Sequence, residues 1–197
     1  QTRPKGRRDY ALMVTMFNTG ARVQEILDLR ACDLQLTKPF QLQLTGKGRK
    51  QRCCPLWPQT AQILRRLCME LHIELKSKIR IFQNCRAAPL SRFGVRYILK
   101  ECLKHAQSST PSLCSKRLHP HSMRHSTAVA LLKSGVDLTT ISQWLGHADL
   151  STTNRYASID LDMKRKAIES IQPMENPGDC TELWSHDNTI LEWLESL

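Results

Sequence analysis

Apolar residues recur along most of this chain with the spacing of amphipathic helices. Between residues 9 and 18, apolar side chains from Tyr10 to Phe17 fall on one helical face, and Gly20 then breaks the pattern. Further segments share this spacing, with Pro58 and Ser91 placed to begin two of them. These helices are predicted over residues 22–30, 58–72, 92–106, 122–134, 138–145, 152–156, 160–171 and 183–197.

One short region alternates with a period of two instead. Residues 41–45 read Gln-Leu-Gln-Leu-Thr, and residues 51–56 are predicted to form a second strand. The segment between them, Gly46-Lys-Gly-Arg-Lys50, predicts a hairpin with a basic tip. The predicted fold class is therefore mainly α with a small antiparallel β-sheet.

The pattern also predicts how the chain is organised. Residues 1–171 suit one ordinary domain, and residues 172–182 contain two prolines and a glycine and are predicted to be a linker. Residues 183–197 are predicted to form a short amphipathic helix. The chain opens on Gln1 and enters basic residues at once, which is typical of a fragment, so we expect a preceding domain to be absent from it.

Charge points to an anionic partner. Lys and Arg number 29 against 18 Asp and Glu, a formal net charge of +11, and such an excess favours association with nucleic acid. From charge alone, a basic protein without any such partner remains an alternative.

Cysteine content and hydropathy indicate the cellular compartment in which we expect the protein. The eight cysteines include no Cys-x-x-Cys pair, so we predict reduced thiols, although a cysteine-rich zinc protein is the competing interpretation. No apolar run suits a signal peptide or approaches the roughly 20 residues of a membrane span. We expect a cytoplasmic protein with no membrane partner.

Several polar residues could together cleave a phosphodiester bond without a metal. That chemistry needs a nucleophile, cations for the non-bridging oxygens, and groups that move protons. Taken singly, each candidate also has an ordinary structural explanation, such as a surface arginine, a soluble turn, a helix cap or a core tyrosine. The candidates, in chain order, are Arg22, Lys47, His121, Arg124, His147 and Tyr156.

The wording of four motifs strengthens this interpretation. The motifs are Thr-Gly-Ala-Arg-Val-Gln-Glu-Ile-Leu-Asp-Leu-Arg at 19–30, Gly-Lys-Gly-Arg-Lys-Gln-Arg at 46–52 with Pro-Leu after it, His-Ser-Met-Arg-His-Ser-Thr-Ala at 121–128, and Leu-Gly-His-Ala-Asp-Leu-Ser-Thr-Thr-Asn-Arg-Tyr at 145–156. In these motifs and their order the chain resembles the tyrosine recombinases, the family of phage integrases and of the bacterial recombinases that resolve chromosome dimers. The resemblance covers roughly residues 5–170.

The resemblance implies a role for each candidate. Tyr156 would attack the scissile phosphorus, leaving a 3′-phosphotyrosyl link and a free 5′-hydroxyl. Arg22 and Arg124 would hold the non-bridging oxygens, because a guanidinium can donate two parallel hydrogen bonds. Lys47 would protonate the leaving 5′-oxygen, and His121 would manage the tyrosine proton.

The resemblance further implies that His147 adds a hydrogen bond to the phosphate in the transition state. It implies double-stranded DNA as partner, a homo-tetramer on paired DNA sites, and no metal, ATP or other cofactor. Residues 183–197 would dock on a neighbouring protomer or pack against their own domain. An N-terminal DNA-binding domain, common in the family, would be the part that is absent.

Two other functions share some of these features. A type IB topoisomerase uses a similar set of Arg, Lys, His and Tyr to relax supercoils without exchanging strands, but the motif wording fits recombinases better. A DNA-binding protein without catalysis would use the positive charge alone. The motifs do not specify the DNA sequence or the direction of recombination.

Overall fold

The structure is a computed structural model that describes residues 4–114 and 118–146, together with Arg165 and Ile168. The chain divides into two compact units, Gln1–Ala157 and Ser158–Leu197. The described helices of the first unit are α1 (Pro4–Thr19), α2 (Val23–Leu27), α3 (Pro58–Glu70), α4 (Arg92–Ser109), α5 (Pro120–Lys133) and α6 (Leu138–Leu145). Its strands are β1 (Leu34–Gln35), β2 (Gln41–Thr45) and β3 (Gln51–Pro55).

The predicted fold class is confirmed, and most helix boundaries agree with the pattern. Helix α6 has the predicted bounds, Pro58 stands at the first position of α3, and the Ser91 hydroxyl caps α4 by accepting a hydrogen bond from the Gly94 amide. Helix α2 is shorter than predicted. Arg22 precedes it with extended backbone, and Asp28 ends it.

The core forms where α1 packs against α3 and α5. Leu12 and Met16 of α1 are buried there, as are Leu64 of α3 and Ala128 of α5. Fully burying a leucine or methionine side chain stabilises the fold by about 1.5–3 kcal/mol. This packing fixes α5, and with it the start of the third motif, against α1 and the glycine turn that follows it.

The hairpin is present and has a third strand that the pattern did not predict. The order is β1-β2-β3, antiparallel throughout, with Leu42 opposite Cys54 and Leu44 opposite Arg52. Leu42 and Leu44 are buried, as the alternation predicts. Strand β1 has only two residues, which is too short to show a period.

Residues 73–90 received no element in the sequence analysis, yet they contribute to the core. Ile81 and Phe82 are fully buried, and the Ile81 amide donates to the Leu29 carbonyl at 3.1 Å. Periodicity could not reveal these positions because the segment joins the fold through isolated bridges, Arg30 with Arg80 and Gln83 with Pro89.

Several predictions fall on residues outside those described. They are the helices over 152–156 and 183–197, the linker over 172–182, and the positions of His147 and Tyr156. The helix predicted over 160–171 is described only at Arg165 and Ile168, both helical. Among the described residues, no helix has the length and apolarity to cross a membrane.

Candidate active site

Three arginines from distant segments meet the carboxyl end of α6. Arg52 Nε donates to the Trp144 carbonyl at 3.0 Å, and Arg124 Nη2 donates to the Leu145 carbonyl at 2.6 Å. Arg22 Nη2 donates to the carbonyl of Gly146, the helix cap, at 3.3 Å. The last carbonyls of a helix lack partners within it and carry partial negative charge, so this end favours cations.

Arg124 is the most deeply held of the three. Its exposure is 7%, and its Nη1 donates to the Gly20 carbonyl at 2.6 Å. The side chain therefore joins the glycine turn after α1 to the end of α6. Two charge-assisted bonds to backbone fix the plane of its guanidinium, which is the property that a planar phosphate-binding group requires.

Arg22 lies next to this turn and is oriented by Glu25. Its Nη1 donates to Glu25 Oε1 at 3.0 Å, and its backbone amide donates to Oε2 at 2.8 Å. The Arg22 side chain is 40% exposed, whereas that of Glu25 is 4% exposed. Arg22 thus has a fixed inner side and an outer side open to a ligand.

Glu25 also binds Arg52 of β3. Arg52 Nη1 and Nη2 donate to Oε1 and Oε2 of the carboxylate at 3.1 and 2.7 Å. Burial opposes the ionisation of Glu25, but the hydrogen bonds and charge of Arg52 and the amide of Arg22 outweigh it, so the pKa of Glu25 lies below its ordinary value. Although burial opposes its charge, Arg52 has a raised pKa because of Glu25.

Two glycines allow these close approaches. Gly20 has φ +58°, and a Cβ there would lie 2.4 Å from Leu145 Cδ2. Gly146 has φ +66°, and a Cβ there would lie 2.9 Å from Arg52 Nη1. Both positions require glycine for conformation and for space.

A cleft opens beside Arg22, between α2, α4 and the start of α5. His121 lines it, as does His119, and the two imidazole centroids are 6.3 Å apart. Helix α4 contributes basic residues to the lining at four-residue spacing, which places them on one helical face. They are Arg92, Arg96 and Lys100.

The predicted site residues are thus only partly described. Arg22 and Arg124 come together at the end of α6, and Arg22 shares the cleft with His121. His121 stands in the first turn of α5, so the alternative that it caps this helix is wrong, because His119 is the cap. Lys47 begins the turn Lys47–Arg49 between β2 and β3. His147 and Tyr156 lie outside the described residues.

Sequence reasoning missed Glu25, Arg52 and the basic face of α4. The signal for Glu25 was its three-residue spacing from Arg22 at a helix start. The basic face of α4 also had a signal, since Arg92, Arg96 and Lys100 recur every four residues inside a predicted helix. Arg52 carried no such signal, because its partners lie in other elements.

Within the described ranges there is no group of three or more His, Cys, Asp or Glu side chains that could hold a metal ion. In the described part of the site, the guanidinium groups of Arg22, Arg52 and Arg124 outnumber the Glu25 carboxylate. A helical domain that gathers three arginines at one helix end, beside a basic cleft, is suited to bind a phosphate group.

Comparison with known proteins identifies the family to which this helical domain belongs. The model of the phage integrase family matches residues 1–162, and the chain therefore belongs to that family, the tyrosine recombinases. Tyrosine recombinase XerC of Bacillus pumilus is 35% identical over 176 residues, 86% of this chain and 55% of the relative. XerC of Bacillus licheniformis is 36% identical over 185 residues, 89% and 57% of the two chains.

Solved structures support the same fold. The crystal structure of XerA recombinase matches with a TM-score of 0.70 at 25% identity, over 86% of this chain and 60% of that one. The chain spans about half the length of the curated relatives it matches.

Proposed function

We propose that this chain is the catalytic part of a site-specific DNA recombinase that cleaves and rejoins strands through Tyr156. The observation that carries the proposal is the placement of Arg22 and Arg124 on adjacent carbonyl groups of one helix end. The cluster holds three guanidinium groups, and Glu25 is bonded to Arg22 and Arg52, so positive charge remains in excess. A phosphodiester, whose oxygens accept paired hydrogen bonds from guanidinium groups, would balance that excess. Membership of the tyrosine recombinases supports the choice of DNA.

The proposed reaction exchanges one phosphodiester for another. The Tyr156 oxygen attacks phosphorus, the bond from phosphorus to the 5′-oxygen breaks, and a 3′-phosphotyrosyl link remains. His121 takes the tyrosine proton and Lys47 supplies one to the departing 5′-oxygen. Arg22 and Arg124 hold the non-bridging oxygens as negative charge builds on them.

Rejoining is the reverse attack by a 5′-hydroxyl. The phosphotyrosyl link keeps the energy of the broken bond, so the proposed cycle consumes no ATP. His147 is assigned a hydrogen bond to the phosphate. The assignment rests on its place in the Leu-Gly-His stretch of the fourth motif.

The cleft beside Arg22 supports double-stranded DNA as the substrate. Arg96 and Lys100 are exposed on the wall formed by α4. Arg92 of the same face donates to Gln24 at 2.8 Å, which ties this wall to α2. A row of cations that continues from the proposed reaction centre would follow the next phosphates of the strand.

Strand exchange between two duplexes also favours an assembly. Each duplex is cut on both strands, so the complete reaction uses four nucleophiles, and each chain provides one Tyr156. We therefore propose four chains on paired sites. Light scattering of the chain with and without its DNA site tests this part separately.

A suicide substrate tests the chemistry. A duplex selected from a randomised library for binding to the chain carries a nick beside each possible cleavage point in turn, so that the released fragment diffuses away. The wild type is expected to give a covalent adduct that survives denaturing electrophoresis and forms in EDTA. Tyr156→Phe is expected to bind the same duplex and give no adduct.

Each other outcome has a defined meaning. Binding without any adduct in the wild type would leave a DNA-binding protein without catalysis. An adduct in both the wild type and Tyr156→Phe would show that Tyr156 is not the nucleophile. Relaxation of a supercoiled plasmid that carries paired sites, without exchange between them, would favour the topoisomerase alternative.

A further inference from the structure

Arg52 contacts both Glu25 and the end of α6, and it does not line the cleft that Arg22 and His121 share. Its side chain is 14% exposed, and its guanidinium nitrogens donate to Glu25 and to the Trp144 carbonyl. Each of its three guanidinium nitrogens already donates to Glu25 or to the Trp144 carbonyl, so we do not assign Arg52 a direct contact with a ligand in the cleft.

Its contacts join three parts of the site. Arg52 lies in β3 opposite Leu44 of β2. Leu44 comes two residues before Gly46, which precedes the turn that begins at Lys47. It is bonded to both oxygens of Glu25, the group that orients Arg22. It is also bonded to the end of α6, from which the chain proceeds to residue 147.

The packing around these contacts leaves little room for adjustment. A Cβ on Gly146 would lie 2.9–3.1 Å from three atoms of the Arg52 side chain, and a Cβ on Gly46 would lie 3.1 Å from Glu25 Oε1. The guanidinium is thus wedged between the hairpin turn and the cap of α6. A side chain of different shape would change the separation of these two elements.

We propose that Arg52 is a positioning residue for strand cleavage, which sets Arg22 through Glu25 and fixes the Lys47 hairpin against the end of α6. This inference rests on the proposed function. Lysine could not replace it, because a single ammonium cannot span two carboxylate oxygens and the Trp144 carbonyl as a planar fork does. Misplacing a catalytic group by about 1 Å can cost about 100-fold in rate.

The experiment measures DNA affinity and the rate of adduct formation on the suicide substrate for Arg52→Met and Arg52→Lys. Arg52→Met is expected to slow adduct formation about 100-fold at saturating DNA, because positioning is lost. Affinity is expected to change less than about threefold, since Arg52 does not line the cleft. Arg52→Lys is expected to recover only part of the rate.

Arg8 provides a matched control. Its side chain is 12% exposed, it donates to Asp9 through Nε and Nη2, and its Nη1 donates to the Gln83 carbonyl at 2.9 Å. Arg8→Met removes the same kinds of bond at similar burial, away from the cleft. We expect it to lower stability comparably and to leave the rate constant within about threefold of the wild type.

A double-mutant cycle separates positioning from general stability. Because Arg52 acts through Glu25, Arg52→Met in a Glu25→Gln background is expected to slow the reaction much less than it does alone. Additive losses, or a parallel loss of affinity and rate, would overturn the proposal. If Arg52→Met does not fold, Arg52→Lys carries the same cycle, with a smaller factor expected.

The proposed function and this inference fail in different ways. If the wild type forms no Tyr156-dependent adduct, the function itself is wrong. If the wild type forms it and every Arg52 variant forms it at the same rate, only the positioning role is wrong.

Discussion

Arg124 donates a hydrogen bond to the Leu145 carbonyl at 2.6 Å, and this bond ties the second turn of α5 to the end of α6. The same side chain bonds the Gly20 carbonyl at an equal distance. A residue assigned to hold phosphate is therefore also a structural tie within the domain. Its substitution should affect stability as well as chemistry.

Arg124→Met is expected to lower the free energy of unfolding by about 2–4 kcal/mol, because two buried carbonyls lose charged donors. Urea denaturation of the isolated chain measures this. Arg66→Met is the control, since Arg66 is exposed on α3, and its effect should stay within about 0.5 kcal/mol. Equal stability of the two variants would contradict the structural role of Arg124.

Gly20→Ala is expected to be more damaging than Gly135→Ala. Both glycines have positive φ, +58° and +84°, and this conformation is about 1–2 kcal/mol unfavourable for alanine. At Gly20 the added Cβ also meets Leu145, whereas nothing lies within 4 Å of it at Gly135. Thermal unfolding of both variants gives the comparison, and a smaller loss at Gly20 would argue against the close approach.

The Glu25 pair predicts a dependence of stability on pH. The pKa of Glu25 is lowered in the folded chain from 4.5, so its ionised form stabilises the fold at pH values above 4.5. This contribution is lost as the pH falls from there through the lowered pKa. The stability difference between wild type and Glu25→Gln, measured by urea denaturation, should be constant near neutral pH and shrink in acid. A difference that grows in acid would mean that the pKa of Glu25 is raised by folding and not lowered.

Neighbouring cysteines should differ in reactivity. Cys53 is exposed, while Cys54 is buried and its pKa is raised by burial. Burial likewise raises the pKa of Cys68 to about 11. With N-ethylmaleimide at pH 8, we expect Cys53 to be alkylated long before Cys54 or Cys68, because the thiolate is the reactive form. Mass spectrometry of timed samples locates the label, and equal rates at Cys53 and Cys54 would place β3 in the wrong register.

The basic face of α4 predicts a salt-dependent contribution to DNA affinity. Replacing Arg96 and Lys100 with glutamine should weaken binding and reduce the slope of log affinity against log salt by about 2, one for each phosphate contact. Fluorescence anisotropy over a salt series measures the slope. Arg66→Gln, outside the cleft, should leave the slope unchanged. An equal change in that variant would indicate that DNA affinity depends on the total charge of the chain and not on the position of the α4 residues.

The sequence was sufficient to predict the helical class, the hairpin and α6, because each depends on a local period. It also brought Arg22, His121 and Arg124 forward as candidates, through residue types and motif order. The role of Arg52 was beyond that reasoning. Its importance comes from acceptors on Glu25 and Trp144, which are distant in sequence and meet it only after the sheet packs against α2 and α6.

Core residues outside regular elements were missed for a related reason. Phe82 is fully buried in a segment without a helix or strand. A buried position of this kind depends on which neighbours cover it, and no repeating pattern along the chain records them. Strand β1 was missed for the same reason, because its two residues form a strand only through their pairing with β2.

The arginine-bonded end of α6 has a consequence for the order of folding. The bonds from Arg22, Arg52 and Arg124 to this end span 124, 92 and 21 residues of chain. Contacts of such separation form late, because closing long loops costs entropy before any bond repays it. During synthesis, the arginines emerge well before the carbonyls that receive them. We therefore expect competence for phosphate binding to arise with the last cooperative step of folding, so that a nascent or partly folded chain would be inactive toward DNA.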